Sequence, residues 1–235
     1  MRYAVYFTPA REEPLARTAA GWLGRDAYGG EVGRHGGIGD LSPAEIAFHT
    51  ASARRYGFHA TLKAPFKLAR EQEEASLIAA FEAFCATHPA VVVPRTRLAQ
   101  MDGFFALVPA DRVPELDSLA GEVVKSFEPF RAPLSEAEIA RRSPEALTAA
   151  QLRNLHGWGY PYIFDEFRFH MTLTGRVSDN DSPRVAHAIE KVFGPFLAAP
   201  LAIDTLALFV EPEPGAPFIV HTARALGEAR QRKSA

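Results

Sequence analysis

Short segments of apolar and polar residues follow one another along this chain and predict strands and amphipathic helices. Residues 2–8 are aromatic and β-branched and stop at a proline, which is typical of a strand, and residues 15–23 have helical spacing. A helix start is predicted at Ser42, because a proline follows it and a glutamate lies three residues further on. Residues 29–39 are rich in glycine and predict a loop, which also holds His35.

From residue 57 onward, the same order of elements is predicted twice, as strand, helix, strand and strand. The first copy has a strand at 57–67, a helix at 73–86 and strands at 91–100 and 104–108. The second copy has a strand at 166–177, a helix at 183–197 and strands at 201–210 and 218–225. Helical segments at 111–127 and 131–155 join the two copies. Such self-similarity indicates an internal duplication.

We therefore expect an α+β fold built as a two-lobed, pseudo-symmetric duplication, in which two antiparallel sheets face a central cleft and helices lie outside. All 235 residues are expected to form a single domain. Its lobes are expected at about 45–110 and 160–226, and the strand at 2–8 and linking helices at 111–155 complete it.

Two strings of the form Phe-His-x-Thr-Leu lie at equivalent points of the two copies, with His59 in the first and His170 in the second. Side chains that are two residues apart in a strand share a face. The polar face of the first strand is predicted to carry His59, Thr61 and Lys63. That of the second strand is predicted to carry Arg168, His170, Thr172 and Thr174. The opposite faces are apolar and suit a hydrophobic core.

These polar faces have the chemistry needed to cleave a phosphoester. An imidazole titrates near neutral pH, so one histidine can activate the attacking water while the other protonates the leaving oxygen. The two threonine hydroxyls can donate hydrogen bonds to phosphate oxygens, whose charge must be stabilised in the transition state. Lys63 and Arg168 can neutralise that charge further. Because burying such faces without partners would be costly, we predict that they line a solvent cleft.

One His-x-Thr string alone would indicate no more than a structural hydrogen-bonding pair. The second copy changes this interpretation, because packing explains the repeated phenylalanine and leucine but leaves the histidine and threonine unexplained. We therefore favour catalysis. Tyr56, Tyr160 and Tyr162 lie close to the strings in sequence and are candidates for substrate binding, with partly buried aromatic side chains as the alternative.

Composition and charge restrict the partners. The chain is 47% apolar and 23% charged, as in globular proteins, and its net charge of −2 argues against broad nucleic-acid binding. A single cysteine, Cys85, cannot form an internal disulfide, which favours a reducing cytoplasm. The N-terminus is not typical of a signal peptide, and no apolar stretch is long enough to span a bilayer. We expect a cytoplasmic monomer that has no membrane association.

No metal or cofactor is expected. The two strings are not accompanied by a cluster of histidine, aspartate or glutamate with the spacing of metal ligands. The glycine-rich segment lacks the Gly-Lys-Ser/Thr ending of a phosphate-binding loop. His35 and the remaining histidines lack a paired context and are predicted to be surface or structural residues.

The two strings and their flanks resemble the two-histidine (2H) phosphoesterases, whose signature is a pair of His-x-Thr/Ser-apolar motifs in two symmetric lobes. Members of that superfamily include bacterial RNA 2′,3′-cyclic phosphodiesterases, also called 2′-5′ RNA ligases. Residues 55–66 and 160–175 are similar to a narrower branch encoded beside bacterial phosphonate-utilisation genes. The resemblance covers nearly the whole chain. It implies catalytic roles for His59 and His170 and phosphate-binding roles for Thr61 and Thr172.

These observations predict a metal-independent phosphodiesterase that hydrolyses a small cyclic or linear phosphoester, in connection with phosphonate metabolism. For hydrolysis we expect His170 to be the base and His59 the acid. Two alternatives stay open. One is an RNA end-processing 2′,3′-cyclic phosphodiesterase or 2′-5′ ligase, which the acidic balance disfavours. The other is a non-catalytic protein that binds a phosphate ligand or a partner, for which two proton carriers would serve no purpose.

Overall fold

The structure is a computed structural model in which residues 1–30, 32–33 and 36–227 are described. Its strands are β1 Arg2–Phe7, β2 Ala60–Phe66, β3 Val91–Val93, β4 Thr96–Met101, β5 Phe104–Pro109, β6 Met171–Arg176, β7 Leu201–Ile203, β8 Thr205–Glu211 and β9 Ile219–Ala225. Its α-helices are α1 Pro14–Leu23, α2 Pro43–His49, α3 Ala51–Arg54, α4 Glu74–Thr87, α5 Pro114–Ser126, α6 Glu136–Ala140, α7 Ala149–Trp158 and α8 Ser182–Leu197. Short 3-10 helices lie at Glu128–Phe130, Pro144–Ala146 and Phe164–Glu166. No helix in these ranges is both long and apolar enough to cross a membrane.

The strand and helices predicted within the first 50 residues are confirmed by β1, α1 and α2. The hydroxyl of Ser42 accepts a hydrogen bond from the backbone N–H of Glu45. The Glu45 carboxylate accepts one in return from the backbone N–H of Ser42 (2.8 Å), so the predicted helix start is a complete capping box. His35 lies outside the described residues.

The strands that carry the two His-x-Thr strings begin later than predicted. β2 begins at Ala60 and not at residue 57, because Gly57 has a φ of 74° and turns the backbone. β6 begins at Met171 and not at residue 166, because a 3-10 turn precedes it at Phe164–Glu166. Each histidine therefore occupies the position just before the first residue of its strand.

The main sheet is antiparallel, and its strands lie in the order β4-β5-β6-β2-β1-β8-β9. It has two halves, β4-β5-β6 and β2-β1-β8-β9, which are joined where Ala60 of β2 pairs with Met171 of β6. Strands β3 and β7 form a separate two-stranded antiparallel sheet. The predicted α+β class with two antiparallel sheets is confirmed.

The two copies of the repeat exchange strands within the main sheet. β2 belongs to the first copy but pairs with β1, which in turn pairs with the β8-β9 hairpin of the second copy. β6 belongs to the second copy but pairs with the β4-β5 hairpin of the first. The segments 45–110 and 160–226 thus each contribute strands to both halves of the sheet. This exchange makes the two His-x-Thr strings neighbours at the centre.

The main hydrophobic core lies between one face of the sheet and the helices. The apolar residues of the two strings belong to it and are at most 6% exposed: Phe58, Ala60, Leu62, Phe169, Met171 and Leu173. A smaller cluster, which includes Tyr6 and Phe209, lies apart from this core. Because side chains alternate along a strand, the histidines and threonines of the strings face away from the main core.

Candidate active site

The two His-x-Thr strings lie side by side where the halves of the sheet meet. Ala60 and Met171 are direct partners in antiparallel strands, and both are fully buried. Extending this antiparallel register by one residue on each side sets His59 opposite Thr172 and Thr61 opposite His170, on the other face of the sheet. Each histidine is therefore placed next to the threonine of the other repeat.

The backbone before each strand orients the histidine ring. Gly57 has a positive φ, and a Cβ atom there would lie 2.8 Å from the Cβ of Ala27, so only glycine fits this turn. The Gly57 carbonyl accepts a hydrogen bond from Nδ1 of His59 (2.9 Å). The Arg168 carbonyl accepts the equivalent bond from Nδ1 of His170 (2.7 Å). Both rings are thus held by the carbonyl two residues earlier.

These bonds also set the tautomer of each ring. A carbonyl only accepts hydrogen bonds, so a neutral histidine held in this way carries its proton on Nδ1 and leaves Nε2 unprotonated. Nε2 of His59 lies 3.3 Å from the hydroxyl of Thr61, which therefore donates to it. Nε2 is the basic atom of each ring and can accept a proton from a water molecule.

The pKa values of both histidines are lowered. Burial lowers the pKa of His59 to about 4, the hydrogen bond to Gly57 opposes this, and the charge of His170 lowers it further. Burial also lowers the pKa of His170, against the opposing effect of its bond to the Arg168 carbonyl. The two rings repel each other when both are charged, so the pair takes up a second proton less readily than the first.

Aromatic side chains pack against both histidines. Tyr6 stacks on His59 with 4.0 Å between the ring centroids, and Tyr56 stacks on it from 5.9 Å. The ring of Phe104 is 5.7 Å from that of His170. These rings exclude water from the imidazoles and so contribute to the burial that lowers the two pKa values.

A cavity of about 440 Å³ opens over the two strings, a size that suits a small molecule. Seven of the ten site residues predicted from the sequence line it: His59, Thr61, His170, Thr172, Tyr56, Tyr160 and Thr174. The other three, Lys63, Arg168 and Tyr162, do not line it. No group of three or more histidine, cysteine, aspartate or glutamate residues that could hold a metal ion occurs in the part of the chain that the structure describes.

Thr174 and Tyr162 support the cleft from outside its reacting centre. Thr174 is only 1% exposed, and its hydroxyl accepts a hydrogen bond from the backbone N–H of Phe105 (2.9 Å). Its hydroxyl is thus engaged in holding β5 against β6. Tyr162 is 46% exposed and contacts Tyr160 edge to face, with 5.6 Å between the centroids. Tyr162 lies outside the lining of the cavity, and its predicted contact with the substrate stays a prediction.

Lys63 does not reach the cleft, so the prediction from strand alternation was wrong at this position. The pairing of β1 with β2 is irregular at two places, and at each of them β2 has one more residue than β1. These irregularities break the period of two after Thr61 and turn Lys63 toward α5. Its ammonium group donates to the Val124 carbonyl (3.1 Å) and to the Glu128 carboxylate (2.9 Å).

Lys63 instead belongs to a buried charge network behind the sheet. It is 3% exposed, and the carboxylate that it binds also accepts hydrogen bonds from Arg131 on both of its oxygens, at 2.6–3.2 Å. Arg131 in turn donates to the Gly157 carbonyl (3.4 Å) at the end of α7. The network therefore connects β2 to the linker between the two repeats.

Arg168 is also outside the cleft, which corrects its predicted position. Its side chain is exposed and lines a separate cavity of about 770 Å³, together with Asp111 and Asp165. Residues 167–170 precede β6, so the strand alternation that put Arg168 on the face of His170 does not extend that far back. Its contribution to the site is the carbonyl that holds the His170 ring.

Tyr6 and Arg142 line the cavity although nothing in the sequence indicated them. Tyr6 is the β1 partner of Thr61, and the hydroxyl groups of the two residues are hydrogen-bonded. Arg142 comes from the linker after α6. Both reach the cleft only through long-range pairing or packing, which a local pattern does not report. Arg176 also lines the cavity, and extending the polar face of the second predicted strand would have found it.

Two curated relatives align with the chain along most of its length. One, named "Ribose 1,5-bisphosphate phosphokinase PhnN", is from Janthinobacterium sp. (strain Marseille) and is 41% identical over 222 residues, which are 93% of this chain and 49% of that protein. A second of the same name, from Laribacter hongkongensis (strain HLHK9), is 35% identical over 229 residues, with 93% and 50% covered. The chain spans about half the length of the curated relatives it matches.

Solved structures give a weaker likeness. A "Crystal structure of phosphoesterase" aligns with a TM-score of 0.43 and 14% identity, over 96% of this chain and 98% of that chain. E. coli LigT complexed with NADP+ aligns with a TM-score of 0.44 and 13% identity, over 96% and 97% of the two chains. These scores are too low to support a conclusion about activity.

A family match identifies the group to which the chain belongs. Residues 61–219 match the family described as "Protein of unknown function (DUF1045)", and this range includes β6 and all of β2 except its first residue, Ala60. The match covers more than half of the 235 residues. The chain therefore belongs to the DUF1045 family.

Proposed function

We propose that the chain is a metal-independent phosphodiesterase of the two-histidine type, which hydrolyses a small cyclic phosphoester. One observation carries the proposal: two histidines and two threonines are placed crosswise over a single cavity, at equivalent points of a repeated unit. This arrangement offers a base, an acid and two hydroxyl donors around one phosphate. The packing of the core gives no reason for these four side chains.

The electrostatics of the cleft favour His59 as the base and His170 as the acid, which reverses the expectation from the sequence. A base must be unprotonated, and the pKa of His59 is lowered to about 4. An acid must carry a proton, and we assign this role to His170, because the two rings repel each other when both are charged and His59 is the one whose pKa is lowered to about 4. In hydrolysis, Nε2 of His59 accepts a proton from water as the water oxygen attacks phosphorus. The bond from phosphorus to the leaving oxygen then breaks, and His170 protonates that oxygen.

Binding of the substrate favours the protonated form of His170 that this mechanism needs. His170 has a lowered pKa in the empty cleft, and the negative charge of a phosphodiester bound beside it favours its protonated form. Thr61 then exchanges its hydrogen bond to His59 for one to a non-bridging oxygen, and Thr172 donates to the other. Arg176, at the end of β6, adds positive charge to the same cavity.

The names of the relatives support a sugar phosphate as the substrate. The relatives carry the name of a kinase for ribose 1,5-bisphosphate, and this chain matches about half of their length. Because this chain contains no Gly-Lys-Ser/Thr phosphate-binding loop, we assign the named kinase activity to the other half of those proteins. An esterase joined to such a kinase would act on a related ribose phosphate. When a cyclic diester bridges the first carbon and a second carbon of ribose, breaking the bond from phosphorus to the oxygen of the second carbon leaves a phosphomonoester on the first. A role in phosphonate metabolism, implied by the sequence resemblance, remains part of this proposal.

A panel of substrates tests the proposal. The protein is treated with EDTA and assayed on 2′,3′-cyclic nucleotides, on cyclic ribose phosphates and on short RNAs with cyclic phosphate ends. We expect turnover of at least one small cyclic diester, and slower turnover of RNA because the chain lacks the net positive charge that favours RNA binding.

The other outcomes distinguish the alternatives. Faster turnover of RNA than of the small cyclic diesters would favour RNA ends as the substrate. Activity that is lost on chelation and restored by a divalent metal would contradict metal independence. No turnover of any substrate would favour a protein that only binds a phosphate ligand.

A further inference from the structure

Among the described residues, three arginines line the cavity, and two of them bind carboxylate or carbonyl oxygens. Arg2 forms an ion pair with the buried carboxylate of Glu211. Arg176 is exposed, and its Nε donates to the Asp102 carbonyl (2.9 Å). Arg142 is half-buried and forms no ion pair with a carboxylate within the part of the chain that the structure describes. Its charge is therefore not balanced by a neighbouring acid there.

Arg142 is held against Tyr160 by the linker between the two repeats. Its guanidinium carbon lies 5.4 Å from the centroid of the Tyr160 ring, which is a cation–π contact. Tyr160 follows Gly159, which has a φ of 77°. A Cβ atom at Gly159 would lie 2.9 Å from Nη1 of Arg131, so the chain packs closely on the buried charge network at this point. The Arg142–Tyr160 pair is thus supported by the network behind β2.

Such an arginine can bind an anion that enters the cavity. Removing a charged group from water is unfavourable without a partner of opposite charge, and the planar fork of guanidinium donors matches the oxygens of a phosphate. The reacting phosphate has its own partners in the two histidines and two threonines at the sheet junction. Arg142 comes from a different segment of the chain, on the linker. The anion that Arg142 would bind is therefore a second one, distinct from the reacting phosphate.

We infer that Arg142 and Tyr160 form a second anion subsite, which binds a phosphomonoester of the substrate that does not react. This inference rests on the proposed function, because it specifies the substrate of the same cleft. The substrate class is then a cyclic phosphodiester that carries a further phosphate elsewhere on its sugar. The guanidinium group binds two oxygens of that phosphate, and the Tyr160 ring fixes the plane of the guanidinium group. No bond is formed or broken at this subsite.

Two substrates that differ by one phosphate test the inference. They are adenosine 2′,3′-cyclic phosphate and the same molecule with a phosphate on its 5′ oxygen. Charge-assisted hydrogen bonds should raise kcat/KM for the phosphorylated substrate by about ten- to a hundredfold. Arg142→Gln should remove this preference, because its kcat/KM falls far more on the phosphorylated substrate than on the other. The exposed neighbour Arg141 offers the matched control, and Arg141→Gln should keep the preference.

Two results would overturn the subsite. One is a preference that persists in Arg142→Gln. The other is an equal loss on both substrates, which would place the guanidinium on the reacting phosphate. If the unmodified protein hydrolyses neither substrate, the proposed function fails for cyclic nucleotides. Calorimetric titration then still tests the subsite. Adenosine 2′,5′-bisphosphate should then bind more tightly than adenosine 2′-monophosphate, and Arg142→Gln should abolish the difference. Equal affinities in the unmodified protein would overturn the inference.

Discussion

Lys63→Met is expected to destabilise the protein without lowering the activity of the molecules that remain folded. The Lys63 ammonium group lies behind the sheet, where it binds the Glu128 carboxylate and the Val124 carbonyl. Methionine preserves an unbranched side chain that can fill the same buried space, and it removes the charge. The change therefore breaks the charge network and leaves His59 and Thr61 in place.

The contacts set the size of the loss. Breaking a buried ion pair by removing one partner costs about 3–5 kcal/mol when the remaining charge is left alone. Glu128 is not left alone, because Arg131 still donates to both of its oxygens, and its side chain is 23% exposed against 4% for Lys63. We therefore expect a loss of about 2–3 kcal/mol in the free energy of unfolding, or about 5–10 °C in Tm for a chain of this length.

Urea unfolding measures the free energy, and kcat/KM is measured at a temperature at which both proteins are folded. Lys67→Met is the matched control, because the Lys67 side chain is 59% exposed and its ion pair with Glu138 lies at the surface. That variant should lose less than about 1 kcal/mol. A Lys63→Met protein of unchanged stability whose kcat/KM falls by about tenfold or more would refute the reasoning, since the ammonium group would then act in the cleft.

Three further predictions concern His59 and residues that contact the two histidines. The free energy of unfolding, measured by urea titrations across pH, should be greatest above about pH 6.5 and fall by up to about 3 kcal/mol toward pH 4. The reason is that unfolded His59 takes up its proton at the ordinary pKa, whereas folded His59 does so only near pH 4; a flat profile would contradict this. Arg168→Gln should leave kcat/KM within about twofold, because only the carbonyl of this residue contacts His170, and a larger loss in steady-state kinetics would put its side chain in the site. Tyr6→Phe should keep the ring stacked on His59 and lower kcat/KM by about three- to tenfold, because Thr61 loses a hydrogen-bond partner; unchanged kinetics would show that this bond has no role in positioning.

The histidines and threonines could be predicted because the information about them is local. Alternation within each string holds over the few residues around the Ala60–Met171 pair, where the strands are regular enough for a period of two. It fails at Lys63, beyond an irregularity in β2, and at Arg168, which precedes β6. An extra residue in one strand depends on the partner strand, so a single segment does not reveal it.

The fold class and most elements were also predictable, whereas the exchange of strands between the repeats was not. Strand and helix periods are properties of one segment, and they gave β1, α1 and both repeated units. Which hairpin pairs with which motif strand depends on contacts between residues far apart in the chain. The same reason explains why Tyr6 and Arg142 were missed, because each reaches the cleft through such contacts.

The most direct test of the account is kcat/KM of the EDTA-treated protein on a small cyclic phosphodiester, measured for the unmodified chain, His59→Ala and His170→Ala. His156→Ala, at an exposed position on α7, serves as the control. If the two histidines act as base and acid, each of their variants should lose at least about a hundredfold, while the control keeps the activity of the unmodified protein. A loss of less than about tenfold in either His59→Ala or His170→Ala would contradict the account.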